Sequence, residues 1–321
     1  MRAIQITRLG GPDVFEAIDA PTPHVGPGDI LIRHEAVGLN FIDIYRRTGV
    51  YPVELPAILG SEAAGEVVEA GAAVTRFKVG DRAGYASGLG AYADEAAVPA
   101  AQAVKIPAGV PTRTAAAVLL KGMTAEFLTR IWPLDPGDPV LVHAAAGGVG
   151  VILTQWLKHL GRTVIATVGT PEKAEIARAN GCDHVILYDR EDVAKTVREI
   201  TAGAGVKVVY DSVGAATFEA SFASVAKRGL FVSFGNASGP APAFAPLRLS
   251  QAGSIFMTRP TLFDYIAGTE ALDRAAAALF AVIQSGAVKV DIGQEWPLSE
   301  VAAAHTALAA RKTTGASVLI P

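Results

Sequence analysis

The chain has 321 residues, 50% of them hydrophobic and 18% charged, which is enough apolar material for two cores of ordinary domain size. Twenty-eight basic residues against 31 acidic ones leave a formal net charge of −3, and without a basic run this argues against nucleic-acid binding. No stretch reaches the roughly 18 uninterrupted apolar residues of a membrane span, and the start "MRAIQITRLGGPD" lacks an apolar signal core. The single cysteine, Cys182, excludes an internal disulfide framework and a multi-cysteine zinc site, and the expected compartment is the cytoplasm.

Residues 1–110 carry short apolar runs such as "DILIRHEAVGL" (29–39), "EAAGEVVEAG" (62–71) and "YADEAAVP" (92–99). Turn signals recur between them, at Gly10-Gly11-Pro12, Val25-Gly26-Pro27-Gly28-Asp29 and Val79-Gly80-Asp81. This pattern predicts a compact, mostly β domain. The rhythm changes near residue 111, where "PTRTAAAVLLKGMTAEFLTRIW" reads as helix.

Strands then alternate with helices. The predicted strands are Val140–His143, Thr163–Val168, His184–Tyr188, Val206–Asp211, Leu230–Phe234 and Ile255–Thr258. Helices are predicted at 149–161 and 170–181, the second with Thr170 as N-cap, Pro171 at the first helical position and Gly181 past its end. Such alternation predicts an α/β, Rossmann-type doubly wound parallel sheet. Beyond residue 260 come two more helices, at 269–286 and 299–312, and a last strand, "ASVLIP"; this part is expected to return to the first domain. The boundaries expected are 1–122 with 262–321 for the first domain and 123–261 for the second.

The stretch "PVLVHAAAGGVG" (139–150) sets a strand against a glycine cluster. Glycine there lets backbone approach a pyrophosphate without a Cβ in the way, while the following helix turns its N-terminal amides toward the phosphates. Against G-x-G-x-x-G, Ala145 replaces the first glycine, tolerable if its φ stays negative, and Gly147 and Gly150 hold the other two places. An acidic residue about 20 positions further on would accept from the ribose hydroxyls of NAD. Here Gly169 stands near that place and Lys173 follows four residues later, with Tyr188 ending the third strand. Removing a carboxylate and adding a cation favours a 2′-phosphate, hence NADP(H) over NAD(H).

Zinc requires three or four converging Cys, His or carboxylate ligands. The six histidines, His24, His34, His143, His159, His184 and His305, show no HxxxH spacing and read as packing or surface residues. Cys182 reads as a small buried residue. No G-x-S-x-G elbow points to acyl transfer.

These residues carry a resemblance. "GDPVLVHAAAGGVGVILTQWLK" (137–158) resembles the signature of the quinone oxidoreductase and ζ-crystallin branch of the medium-chain dehydrogenases/reductases, and "HEAVGLNFIDIYRRTGVYP" (34–52), "PAILGSEAAGEV" (56–67), "VVYDSVG" (208–214) and "FMTRP" (256–260) agree. The resemblance implies a GroES-like catalytic domain beside the dinucleotide-binding one. It also implies no metal, because Gly60-Ser61-Glu62 stands where zinc-dependent relatives carry G-H-E, and Gly38-Leu39-Asn40 lies where they carry a cysteine.

Residue by residue, it implies that Asn40, Ile42, Asp43 and Tyr45 line the nicotinamide side of a cleft, with Tyr51 and Thr124 nearby. Gly148 and Val149 would meet the pyrophosphate, Gly169, Lys173 and Tyr188 the 2′-phosphate ribose, and Ser212 the adenosine side. Phe234, Gly235, Asn236 and Arg259 would reach the nicotinamide half, and Arg311 would close over the phosphate. Phe127 is a departure from the tyrosine of close relatives.

The expected reaction is reduction of a quinone or related conjugated carbonyl by NADPH, with Asn40, Tyr45 and Tyr51 shaping the reacting site. Such flat acceptors need positioning more than a strong acid, and tyrosine hydroxyls are weak acids. Two alternatives stay open: reduction of the C=C bond of an enal or enone, and a non-catalytic NADPH-binding role. The apolar segment "SIFMT" (254–258), as a sheet edge, predicts a homodimer.

Overall fold

Short apolar runs broken by glycine and proline set the first part of the chain into strands. In the computed structural model, which describes residues 1–86 and 88–321, these are β1 (Arg2–Ile6), β2 (Phe15–Asp19), β3 (Asp29–Gly38), β4 (Ala57–Ile58), β5 (Ala63–Ala70), β6 (Arg82–Tyr85), β7 (Glu95–Pro99) and β8 (Ala103–Lys105). Helix α1 (Phe41–Arg47) follows β3, and α2 (Thr112–Arg130) ends the series. Next come β9 (Pro139–His143), α3 (Gly148–His159), β10 (Thr163–Val168), α4 (Pro171–Ala179), β11 (His184–Leu187) and α5 (Val193–Ile200). They continue into β12 (Val206–Asp211), α6 (Phe218–Ser224), β13 (Val225–Ser233), α7 (Leu247–Gln251), β14 (Phe256–Thr258) and α8 (Leu262–Tyr265). The chain closes with α9 (Thr269–Gln284), β15 (Ile292–Pro297), α10 (Val301–Ala309) and β16 (Ala316–Ile320).

Two units result. The first comprises Met1–Met123, Tyr265–Gly286 and Val290–Pro321, and the second Thr124–Asp264 with Ala287–Lys289. In the first, β2-β1-β4 form a small antiparallel sheet and β15-β16-β3-β5-β6-β8 a larger mixed one. Strand β3 is shared. Residues Asp29–Arg33 pair with β7, while Val37 and Gly38 pair with β16. Ile30, Ile32, Leu59, Val67, Tyr85, Tyr92 and Leu319 fill the core between these sheets.

The second unit holds a six-stranded, wholly parallel sheet in the order β11-β10-β9-β12-β13-β14. That is the doubly wound order with β9 as its first strand. Central strands β9 and β10 are buried almost throughout, as expected of strands covered on both faces, whereas β15 alternates half-buried and exposed residues. Strand β13 starts at Val225, five residues before the predicted Leu230, because Lys227 and Arg228 interrupt its apolar run without ending the strand. Ala287–Lys289 belong to this unit through Gln155, whose amide donates to the Lys289 carbonyl (3.0 Å) and accepts from its N–H (2.8 Å).

Candidate cofactor site and active site

The glycine loop turns between β9 and α3. Ala144 takes the left-handed conformation (φ +53°), one residue before the Ala145 that stands in the first glycine place. Ala145 is therefore spared positive φ, and the strain of a Cβ in the left-handed region sits on its neighbour, at about 1–2 kcal/mol. Gly147 is the extended N-cap of α3 (φ −84°, ψ 172°). At Gly150 a Cβ would lie 2.3 Å from the Ala144 carbonyl oxygen, so only glycine lets the helix pack this close to the strand end. Gly147, Gly148 and Val149 keep backbone partly exposed at the helix N-terminus, the arrangement that attracts a phosphate.

At the end of β10, a Cβ on Gly169 would meet the Tyr188 hydroxyl at 2.5 Å and its Cζ at 2.9 Å. The tyrosine ring occupies the space that an acidic side chain would need. Thr170 caps α4 by accepting from the Lys173 N–H (3.3 Å), which sets Lys173 in the first turn.

A third group converges at the ends of β12, β13 and β14. A Cβ on Gly235 would lie 2.2 Å from the Ser212 carbonyl oxygen. Phe234 donates its N–H to the Asp211 carbonyl (2.8 Å), and Arg259 donates to the Ser233 carbonyl (3.0 Å). With its amide assigned to satisfy both ends, Asn236 accepts from Arg259 (3.3 Å) and donates to the Gly235 carbonyl (2.9 Å). Thr124 and Phe127 are buried in α2.

Beneath these loops lies a buried polar chain. The Asp211 carboxylate accepts from the N–H groups of Val213 (2.8 Å) and Gly214 (3.0 Å), from Thr217 Oγ1 (2.7 Å) and from Ser221 Oγ (2.6 Å). Ser221 thus spends its proton on Asp211, so His143 Nε2–H donates to Ser221 (2.9 Å) and His143 Nδ1 accepts from Thr167 (2.8 Å). Burial holds the His143 pKa below its ordinary value, and the ring is neutral.

In the first unit, α1 begins with Asn40 as N-cap. Its N–H donates to Asp43 Oδ2 (3.0 Å) and its side-chain Nδ2 to Glu62 Oε2 (2.8 Å). Asp43 is fully buried. It also accepts from Ser61 Oγ (2.7 Å) and Tyr92 Oη (3.1 Å), so its place is behind Asn40, with no carboxylate surface to offer a ligand. Burial pushes its pKa up to about 6, against the opposing pull of Ser61 and Arg46.

Beyond Tyr92, His305 Nε2–H donates to the phenol oxygen (2.8 Å) while Nδ1 accepts from Arg47 (3.1 Å). Burial and Arg47 lower the His305 pKa to about 3. Arg46 donates to Ser61 Oγ (2.7 Å). Tyr45 and Tyr51 stand edge to face, centroids 5.3 Å apart, and the Tyr51 N–H donates to the Tyr45 carbonyl (3.1 Å). Ile42 is half-buried beside them in sequence, and Arg311, exposed just past α10, adopts φ +58°.

Sequence reasoning missed Glu62, Lys121, Arg46, Tyr92 and His305. One signal was present: Lys121 is a lone cation within the apolar stretch "AAAVLLKGM", and a lysine buried in a helix requires a carboxylate partner.

Residues 26–108 match the alcohol dehydrogenase GroES-like domain family, and residues 148–281 the zinc-binding dehydrogenase family. The chain is 49% identical to the quinone oxidoreductase of Pseudomonas aeruginosa, over 100% of this chain and 99% of the relative. It is 42% identical to the 2-haloacrylate reductase of a Burkholderia species, over 99% of this chain and 98% of the relative. Among solved structures, Escherichia coli quinone oxidoreductase complexed with NADPH superposes with a TM-score of 0.98 at 43% identity, covering 100% of both chains.

The zinc in one of those family descriptions can be tested against the donors present. Among the described residues no three His, Cys, Asp or Glu side chains gather as a metal site would require. Glu62 already holds the ammonium of Lys121 (3.0 Å). Cys182 is buried in the second unit, its thiol pushed up to about 11 by burial. This donor set does not fit a zinc ion.

Proposed function

The chain belongs to the quinone oxidoreductase family of the medium-chain dehydrogenases/reductases, and from that premise we propose that it reduces quinones with NADPH and without a metal. The observation that carries the cofactor half of this reading is the seat of Tyr188 on Gly169, which leaves no room for a carboxylate at the end of β10, while the Thr170 cap sets Lys173 in the first turn of the helix that follows. The cradles at Gly147, Gly150 and Gly235, where a Cβ would crowd the backbone, fit a dinucleotide drawn close to the strand ends.

When bound, NADPH supplies a hydride from C4 of its nicotinamide. In this reading Gly148 and Val149 hold the pyrophosphate, while Gly169, Lys173 and Tyr188 hold the 2′-phosphate ribose and Ser212 the adenosine side. Thr124, Phe234, Gly235, Asn236 and Arg259 orient the nicotinamide half. The same reading assigns Asn40, Ile42 and Tyr45 to the nicotinamide side, with Asp43 holding Asn40 in place and Arg311 meeting the phosphate. Asn40, Tyr45 and Tyr51 shape the acceptor pocket, and a tyrosine hydroxyl or a water delivers the proton to the reduced oxygen. The NADP-binding domain proposed at 123–261 and the catalytic one at 1–122 with 262–321 then correspond to the second and first units, apart from Met123, residues 262–264 and residues 287–289.

Steady-state assays with NADPH and NADH side by side test this. Oxidation of NADPH with 1,4-benzoquinone or 9,10-phenanthrenequinone is expected well above the protein-free rate, with NADH poorer. Rates equal to the protein-free control would remove the proposal. The similarity to a 2-haloacrylate reductase supports a second reading, reduction of an activated C=C bond. Turnover of an alkenal or haloacrylate faster than any quinone would favour it.

We also infer a homodimer. Strand β14 ends the six-stranded sheet, and its Phe256 is 53% exposed, packed at a tilt against Trp132 with ring centroids 5.1 Å apart. A monomer mass in sedimentation equilibrium would count against it. No helix among the described residues is long and apolar enough to cross a membrane; the proposed compartment is the cytoplasm, which cell fractionation tests.

A further inference from the structure

Glu62 and Lys121 are buried, 0% and 5% exposed, and neither is accounted for by cofactor recognition. Glu62 Oε2 accepts from Lys121 Nζ (3.0 Å) and from Asn40 Nδ2 (2.8 Å), while Oε1 accepts from the Leu120 N–H (2.7 Å). Room for the carboxylate is made by Gly38, where a Cβ would lie 2.2 Å from Glu62 Oε2 and 2.5 Å from the Ala116 carbonyl oxygen. Burying an ion pair is weak support for stability, because apolar side chains of the same volume generally serve as well or better. The pair therefore calls for another explanation, and its geometry supplies one.

A carboxylate accepts only, so it fixes which end of the Asn40 amide faces it: the NH₂ end turns to Glu62 and Oδ1 is directed away. Asp43 grips the backbone N–H of the same residue from its other side (3.0 Å). Asn40 is thus held at two points by two buried carboxylates, and Lys121 supplies the charge that balances Glu62.

We propose that Glu62 and Lys121 are a positioning pair that locks the Asn40 amide in one orientation toward the nicotinamide and the acceptor. The proposal rests on the reading of Asn40 as a group of the reacting site. In that reading affinity for NADPH comes largely from the phosphates and adenosine, which Asn40 does not hold. Loss of the lock is therefore expected in kcat and not in cofactor affinity.

In Glu62→Gln, whose amide can donate as well as accept, kcat with 1,4-benzoquinone is expected to fall about ten- to a hundredfold. The NADPH Kd, measured by fluorescence titration, stays within about threefold. Lys121→Met gives the same split. If Glu62 acts through Asn40, adding Glu62→Gln to Asn40→Ala causes no further loss of kcat. An unchanged kcat in Glu62→Gln, or additive losses in the double variant, overturns the proposal.

A readout independent of turnover keeps it testable should these variants fold poorly. In the wild-type apoprotein labelled with ¹⁵N-asparagine, the Asn40 side-chain amide is expected to show one strongly downfield, exchange-protected proton bonded to Glu62. Its absence overturns the lock. If the wild-type protein fails to reduce quinones but shows that amide signature, and Glu62→Gln abolishes it, the positioning pair stands and the functional reading falls.

Discussion

Two buried hydrogen-bond chains, one in each unit, are built alike and serve different ends. In the second unit Thr167 donates to His143, His143 to Ser221 and Ser221 to Asp211. In the first, Arg47 donates to His305, His305 to Tyr92 and Tyr92 to Asp43. Each runs from a donor through a neutral histidine and a hydroxyl to an aspartate. They differ in what the aspartate then holds. Asp211 takes the N–H groups of Val213 and Gly214 and so fixes backbone in the loop after β12. Asp43 takes the backbone N–H of Asn40 and the hydroxyl of Ser61, and so ties the start of α1 to the residues before β5, with Arg46 one bond further. One aspartate organises a loop that adjoins it in sequence, and the other joins two segments that are apart in sequence.

The sharpest way to break this pairing is Asp211→Ala. It removes the acceptor shared by two backbone donors and the Thr217 and Ser221 hydroxyls in a buried site, a cost on the order of 4 kcal/mol. Urea unfolding measures it, and a loss below about 1 kcal/mol would show that water or relaxation satisfies the loop.

Acidification comes next in size. The folded His34 and His305, lowered to about 4 and about 3 by burial, refuse protons that the unfolded chain accepts below 6.5, so stability is lost as pH falls through that window. Asp43, raised to about 6 from 3.8, acts in the opposite sense: between those values the folded state binds the extra proton and recovers part of the loss. The histidines dominate, and a net loss on the order of 2 kcal/mol is expected between pH 7 and 5. Thermal melts across this range follow it, and His305→Gln should flatten the curve.

Tyr92→Phe and Ser221→Ala each remove the middle hydroxyl of one chain, at about 1–2 kcal/mol. Only the first is expected to lower quinone turnover as well; equal kinetic effects would erase the distinction between the two chains. The smallest effect is Lys173→Ala, which should raise the NADPH Kd about tenfold, some 1.4 kcal/mol, and leave that of NADH unchanged. Titration of both nucleotides checks this.

What could be read in the sequence follows the same division. The second unit announces itself because parallel strands buried on both faces leave continuous apolar runs, and because phosphate approach demands glycine at fixed spacing. The Thr170 cap and the gap at Gly169 were visible for the same reason: local geometry dictates residue type. The displacement of the left-handed turn to Ala144 was not, since alanine carries no mark of positive φ. Nor was the surround of Asn40 visible. Positions 40, 62 and 121 meet only through tertiary folding, as do Tyr92 and His305, and of these Lys121 alone, a cation in an apolar run, stood out in the sequence.

The pairing of β16 with β3, Leu319 opposite Val37, has a consequence for the order of synthesis. All six strands of the parallel sheet have been made once residue 258 is in place, so most of that unit emerges before the rest is complete. The larger sheet of the first unit waits for β16 at Ala316–Ile320, and until then β3 presents an open edge where Val37 and Gly38 will pair. A ribosome stalled near residue 300 would hold a finished parallel sheet beside an unclosed one. The half of the molecule made first is thus the half finished last.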